Sequence, residues 1–254
     1  MIISHKHKFI FVQPAKTGGS SVKRALCEAD VFGNDDIFSV PPVDLKVPST
    51  KSDILFTGKY ENIKRNSMGQ LYLGDGTKHR LSSMYEHSVG FVDFTHLTPA
   101  GLVEIGLISE DILQDYVIVT TLRDPVDKFI SSWFYTQVRD KKDISLQILC
   151  NHINNISSKQ GCKVCNYPIR EYYIYKGEYL PKIKLLKTDT LFKDVAKFIK
   201  EIKGKSPKKE YKLKAGFEPD WAIGSSKTWM PNDELNKLKS FLRDEIQFYN
   251  TIGV

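Results

Sequence analysis

The chain carries no long hydrophobic run near its start. The longest there, Phe9 to Val12, falls far short of a secretory h-region or of the roughly 20 apolar residues that a membrane span needs. Cysteine is scarce as well. Cys27, Cys150, Cys162 and Cys165 are too few and too unevenly placed for a disulfide scaffold, which fits a reducing compartment. With Met1 as the start, these two absences lead us to expect a soluble, cytoplasmic protein without a membrane span. No low-complexity tract interrupts the 254 residues, and 41% hydrophobic with 26% charged residues is the balance of a globular chain. We expect a single domain over 1–254, with variable insertions at about 30–80 and 140–180.

Two further absences restrict the chemistry. The G-x-x-x-x-G-K-[ST] spacing of a nucleoside triphosphate loop does not occur. Nor does a nucleic-acid recognition motif, and the aromatics fall mainly at core spacing instead of forming an exposed stacking platform. What the chain does have is positive charge. A formal net charge of +7 and a pI near 9.0 favour anionic partners: nucleic acid, a phosphorylated cofactor, an acidic polysaccharide or a membrane surface.

The stretch Lys8 to Ser21 organises the rest. An apolar run suited to a buried strand breaks into Pro14-Ala15-Lys16-Thr17-Gly18-Gly19-Ser20-Ser21, and Val22 to Cys27 resumes with helical spacing. Glycines admit an anion to the backbone, a helix N-terminus adds partial positive charge, and Lys16, Thr17, Ser20 and Ser21 offer donors. An ordinary strand-to-helix turn would look the same locally. Residues 30–53 read as a surface loop and Ile54 to Thr57 as a short strand. Gln70 to Leu73, between glycine-bearing turns, reads as part of a small hairpin. Thr98-Pro99 opens a helix and leaves His96 in the loop before it.

Asp115 to Leu122 is the clearest strand, β-branched and long enough to cross a buried parallel sheet. Arg123 stands at its carboxyl end, where open α/β sheets bind ligands. Asp124 and Pro125 then start a helix on which Asp127 and Ser131 share a face. Later, Lys182 to Lys187 reads as a strand with Asp189 as the cap of the next helix. Lysines crowd 203–214, either as a solvated loop or as a polyanion contact. Ser225-Ser226-Lys227 precedes one closing amphipathic helix. Cys150 and His152 with Cys162 and Cys165 could close a tetrahedral zinc site, or be unpaired thiols in a loop.

In order along the chain, three of these segments resemble the sulfotransferases that use 3′-phosphoadenosine 5′-phosphosulfate (PAPS), in particular the carbohydrate-type group of heparan and chondroitin sulfotransferases and their bacterial relatives. Lys16 to Ser21 is similar to the family's 5′-phosphosulfate loop, although Ala15 separates the proline from the lysine. Val117 to Ser132, with Arg123 and Ser131, is similar to its 3′-phosphate site. His96-Leu97-Thr98 is similar to the histidine segment of bacterial members. The region around His87 resembles that of the heparan 2-O-sulfotransferases.

The resemblance implies a three-layer α/β/α fold with a mostly parallel, P-loop-like central sheet. It further implies PAPS as cofactor, adenosine 3′,5′-bisphosphate as product, and a hydroxyl acceptor, a glycan by charge and kinship. His96, or else His87, would take the hydroxyl proton. Lys16, with Thr17, Gly18, Gly19, Ser20 and Ser21, would meet the charge on the leaving phosphate. Arg123 and Ser131 would hold the 3′-phosphate. Ser226 and Lys227, in a loop that is a weaker echo of the family, would also contact the cofactor. Such chemistry requires no metal. Two other classes stay open. A phosphotransferase would use Asp124 or Asp189 for magnesium, and a non-catalytic module would bind polyanions or a nucleotide through charge alone.

Overall fold

A strand covered on both faces must be apolar on both, and Phe9–Val12 is buried at every position. The computed structural model describes residues 1–29, 31, 37–38, 63–65, 71–73, 96–104, 107–156, 168–204, 220–222 and 224–252. The elements in chain order begin with β1 (Ile2–Ser4), β2 (Phe9–Val12), α1 (Gly19–Glu28), β3 (Ile37–Phe38), β4 (Ile63–Arg65), β5 (Leu71–Leu73), α2 (Pro99–Glu104) and α3 (Glu110–Asp115). They continue with β6 (Val117–Leu122), α4 (Pro125–Arg139), α5 (Leu146–Asn154), β7 (Ile174–Tyr175), β8 (Glu178–Tyr179), β9 (Ile183–Lys187), α6 (Leu191–Lys203), α7 (Asn232–Phe241) and α8 (Arg243–Ile252).

The main sheet has the order β3-β1-β2-β6-β9. β2 pairs parallel with β6, and β6 parallel with β9, while β1 runs antiparallel to both of its neighbours. All strands but β1 therefore point the same way. The register sets Val12 beside Thr120 and Leu122 beside Lys187, so the chain leaves β2, β6 and β9 at one edge of the sheet.

Helices cover both faces. On one, Ile3, Ile10, Val12 and Ile118 pack with Leu97, Leu102, Leu113 and Tyr172, and with Phe248 and Tyr249 of α8. On the other, Ile2, Phe9, Phe11, Val119 and Leu186 meet Val22 and Leu26 of α1 and Leu191, Val195 and Phe198 of α6. These two sets alternate along each strand, as side chains on a pleated sheet must. A third cluster joins α4, α5 and α7 through Phe129, Trp133, Leu149, Ile153, Leu235 and Leu238.

Several expectations change. Helix α1 begins at Gly19, before Val22. Within the stretch read as a surface loop, Ile37–Phe38 forms β3 against β1. β4 and β5 do form an antiparallel pair, with Arg65 opposite Leu71, whereas the strand expected at 54–57 lies outside the described residues. Asp189 is no cap. Thr188–Thr190 form a 3-10 turn, and it is the Asp194 carboxylate that accepts from Lys187 N (3.0 Å) and Thr190 Oγ1 (2.7 Å). The single closing helix is two helices, parted at Leu242. Leu235 and Leu238 serve the α4 cluster while Phe248 and Tyr249 serve the sheet, and one straight helix could not turn its stripe toward both. Among the described residues no helix is long and apolar enough to cross a membrane.

Glu245 of α8 accepts a hydrogen bond from Ile169 N at 3.0 Å, and burial holds its carboxyl above its ordinary 4.5 against the opposing pull of Ile169 N–H, Lys128 and Arg170. The folded chain therefore keeps this proton to higher pH than the unfolded one, so stability falls as pH rises from about 4.5 through the folded value. Thermal melts across that window should show the decline, and Glu245→Gln, which keeps an acceptor oxygen, should flatten it.

Candidate functional site

The loop after β2 is fastened by hydroxyl groups. Thr17 is fully buried; its Oγ1 donates to Pro14 O at 2.7 Å and accepts a short bond from the Thr121 hydroxyl at the end of β6. Thr188, just past β9, places its Oγ1 3.1 Å from Thr17 O and 3.0 Å from Leu122 O. The three strand ends thus form one hydrogen-bonded unit. This corrects the role expected for the Thr17 side chain: its hydroxyl is spent inside the protein and does not face a ligand.

Lys16 sits in the left-handed region at φ 62°, a conformation that costs a non-glycine residue about 1–3 kcal/mol. Its carbonyl accepts from Arg123 Nη1 at 3.1 Å. Gly18, at φ 88°, closes the loop, and its carbonyl takes both Ser21 N (3.0 Å) and Val22 N (3.3 Å). Gly19 and Ser20 lie in the first turn of α1, where backbone N–H groups have no intrahelical acceptor. Ser20 is exposed and Ser21 half-buried. Packing also requires the glycines. A Cβ on Gly18 would lie 2.7 Å from Leu191 Cδ2, and one on Gly19 only 2.1 Å from Gln13 Cγ.

Beyond β6, Asp124 caps α4 by accepting from Val126 N (2.9 Å) and Asp127 N (3.3 Å), and Pro125 takes the first helical position. The Ser226 segment is latched onto this turn. Lys227 Nζ lies 2.8 Å from Asp124 Oδ2, an ion pair that holds the ammonium above its usual range, and Asp127 Oδ1 accepts from Ser226 N at 2.9 Å and from the Ser226 hydroxyl. Ser226 and Lys227 therefore reach the site, already engaged with carboxylates. Ser131 is half-buried, one turn past Asp127. One turn further, the exposed Tyr135 lies beneath Lys16, whose Nζ is 4.4 Å from the ring centroid.

His96 meets the loop at its first residues. Its Nδ1 is 2.8 Å from Gln13 O, and because a carbonyl can only accept, Nδ1 carries the proton and Nε2 is the basic nitrogen of the neutral ring. The Tyr172 hydroxyl donates to His96 O at 2.8 Å, and Thr98 Oγ1 accepts from Gly101 N at 3.1 Å to open α2. The loop thus bonds His96 through the Gln13 carbonyl and Arg123 through the Lys16 carbonyl. His87 lies outside the described residues.

Reading the sequence missed Gln13, Thr121, Tyr135, Tyr172 and Thr188. Tyr135 had a signal, for it continues the four-residue spacing of Asp127 and Ser131 on α4. The proposed zinc set is not assembled by what is seen. Cys150 and His152 sit two positions apart on α5, about 200° around the axis, so one ion cannot take both from that helix. His152 instead stacks on Phe129, with ring centroids 6.0 Å apart, and Cys162 and Cys165 lie outside the described residues. Among the described residues no group of three or more His, Cys, Asp and Glu is placed to hold a metal ion. Of the lysines in 203–214, only Lys203 is described, bonded to Ala29 O.

A cavity of about 600 Å³ opens beside the α4 turn, lined by Asp124, Asp127 and Asp189 and by Lys227, Lys239 and Arg243, with Tyr249 among its other residues. Its opposing charges balance and select neither an anion nor a cation. No protein-family model, no curated protein and no solved structure matches the chain.

Gly18→Ala should lower the denaturation midpoint by the equivalent of about 1–3 kcal/mol from strain, plus the clash with Leu191. Gly177→Ala is the control, at φ 85° with nothing within 4 Å of the new Cβ, and should lose the strain alone. Equal losses in the two variants would show that Leu191 yields without cost.

Proposed function

We propose that the chain is a PAPS-dependent sulfotransferase acting on a hydroxyl acceptor, a glycan in view of the net charge of +7 and of the resemblance. The observation that carries this reading is the 3.1 Å bond from Arg123 Nη1 to Lys16 O. It sets the two anion-binding turns against each other at neighbouring parallel strand ends, close enough to serve the two ends of one nucleotide. The donor set also suits a polyanion: the two turns carry two cationic side chains, Lys16 and Arg123, together with the first-turn N–H groups of α1 and the hydroxyls of Ser20 and Ser21. The β2-loop-α1 unit beside β6, with helices on both sheet faces, supports the P-loop-like three-layer form of the fold.

In this reading Lys16, the first-turn N–H groups of α1 and the hydroxyls of Ser20 and Ser21 hold the 5′ end, and Arg123 and Ser131 hold the 3′-phosphate. PAPS, when bound, supplies a sulfuryl group on a phosphate leaving group. Lys16 and the helix N-terminus stabilise the negative charge that grows on that phosphate as the bond breaks. His96 takes the acceptor hydroxyl proton at Nε2, because Nδ1–H is committed to Gln13 O, and that bond also fixes the ring's orientation.

Isothermal calorimetry with adenosine 3′,5′-bisphosphate against AMP tests the reading. Selective binding of the bisphosphate is expected, and equal affinity for the two would count against a 3′-phosphate site. Arg123→Ala should weaken the bisphosphate by about 2–4 kcal/mol, the scale for removing one partner of a desolvated charge pair. Lys16→Ala should leave much of that binding and abolish most turnover. Magnesium-dependent consumption of ATP by the pure protein would favour a phosphotransferase in its place.

A further inference from the structure

Lys16 is held at both of its ends by the segment that follows β6. Its carbonyl is bonded by Arg123 at 3.1 Å, and its ammonium rests 4.4 Å from the centroid of Tyr135. We infer that Tyr135 is the positioning residue for the Lys16 ammonium, fixing where on α4 that charge sits before any ligand arrives. The catalytic consequence rests on the sulfotransferase reading; the positioning itself does not.

Three observations converge on the ring. First, the distance lies well inside the roughly 6 Å over which the negative face of an aromatic ring attracts an ammonium. Second, Tyr135 is 37% exposed and, among the described residues, belongs to none of the three apolar clusters. Third, Asp127, Ser131 and Tyr135 recur every four residues and so follow one side of α4, in the helix that starts just after Arg123. The stripe that bears Ser131 therefore ends in the ring, about 12 Å along the axis from Asp127.

The physical need is plain. Lysine is a point charge on four rotatable bonds, with much rotamer freedom to lose on binding. Arg123 restrains the backbone of Lys16 through its carbonyl. A ring beneath the ammonium restrains the stem as well, so less freedom is lost when charge develops on a ligand beside it. An aliphatic side chain of similar size would touch the stem but offer the ammonium no negative face. Phenylalanine keeps the face and drops only the hydroxyl.

Tyr135→Leu and Tyr135→Phe separate these cases, with thermal melts to show that both variants fold. The first measurement needs no cofactor. Lys16 in the ligand-free protein is acetylated in competition with the exposed Lys193 and followed by mass spectrometry. Lys16 should react about three- to tenfold faster in Tyr135→Leu and within about twofold of the parent in Tyr135→Phe, the ratio expected for one cation–π contact. Equal Lys16 rates in all three proteins would overturn the inference, as would equal acceleration in both variants, since the hydroxyl and not the ring would then be responsible.

The second measurement is steady-state turnover with PAPS. Tyr135→Leu should lower kcat by about three- to tenfold while KM for PAPS stays within about twofold, and Tyr135→Phe should restore kcat. A KM effect without a kcat effect would make Tyr135 a ligand contact instead and overturn the assignment. A parent protein that shows the labelling contrast yet neither binds adenosine 3′,5′-bisphosphate nor transfers sulfate would refute the sulfotransferase reading and leave the positioning role standing.

Discussion

Parallel pairing of β2 with β6, in the register that puts Val12 beside Thr120, is the constraint on which the rest of this structure depends. Parallel strands end at the same edge, so the turn after β2 and the turn after β6 emerge side by side although more than 100 residues separate them, |i−j| being 107 for the Arg123–Lys16 bond. The Arg123–Lys16 and Thr17–Thr121 contacts follow from that adjacency. A one-residue slip would turn Thr121 away from Thr17, because successive side chains on a strand point to opposite faces. It would also exchange the apolar sets that face α1 and α8, which makes the slip costly and the register well determined.

The threonines make the edge rigid where the loop is strained. Thr17, Thr121 and Thr188 come from the ends of three neighbouring strands and bond to one another or to one another's carbonyls. Thr17 and Thr121 are buried, so losing either hydroxyl leaves the other with no water to replace it. It supports a lysine in the left-handed region and a glycine at φ 88° in the same loop. Strain of this kind persists only where the surroundings over-determine it. Arg123 is part of those surroundings and also a charge at the site, which couples the geometry of one turn to that of the other.

The flank bearing His96 is tied in by different means. Leu97 is buried in the core on one sheet face, Pro99 starts α2, and Tyr172 bonds the His96 carbonyl. With its backbone anchored in this way, the histidine ring can direct Nδ1 at Gln13 O and so fix which nitrogen is basic. The C-terminal segment contributes from the opposite direction. The bend at Leu242 lets α7 complete the α4 cluster while α8 returns to the sheet, and Ser226 and Lys227 clip that segment to the first turn of α4.

Local chemistry was legible from the residues alone. The β-branched run before Arg123, the Asp124-Pro125 helix start, the Thr98-Pro99 start and the strand-glycine-helix passage at Lys16 each depend on neighbours within a few positions, and each is found. Where the local signal was ambiguous, the sequence misled. Asp189 looked like a cap, yet α6 has no side-chain cap and Asp194, one turn in, bonds back to Lys187 N and the Thr190 hydroxyl; the closing helix looked continuous because its two halves share one apolar period. What no local pattern could supply was partnership: that Thr17 would spend its hydroxyl inward, that Gln13 would orient His96, that Tyr135 would lie under Lys16. The amino-acid order settled which segments are strands, helices and turns, because backbone propensity and capping act over a few residues. Only tertiary structure decided which turns meet, because that depends on strand order and register, set by burying two faces of one sheet at once.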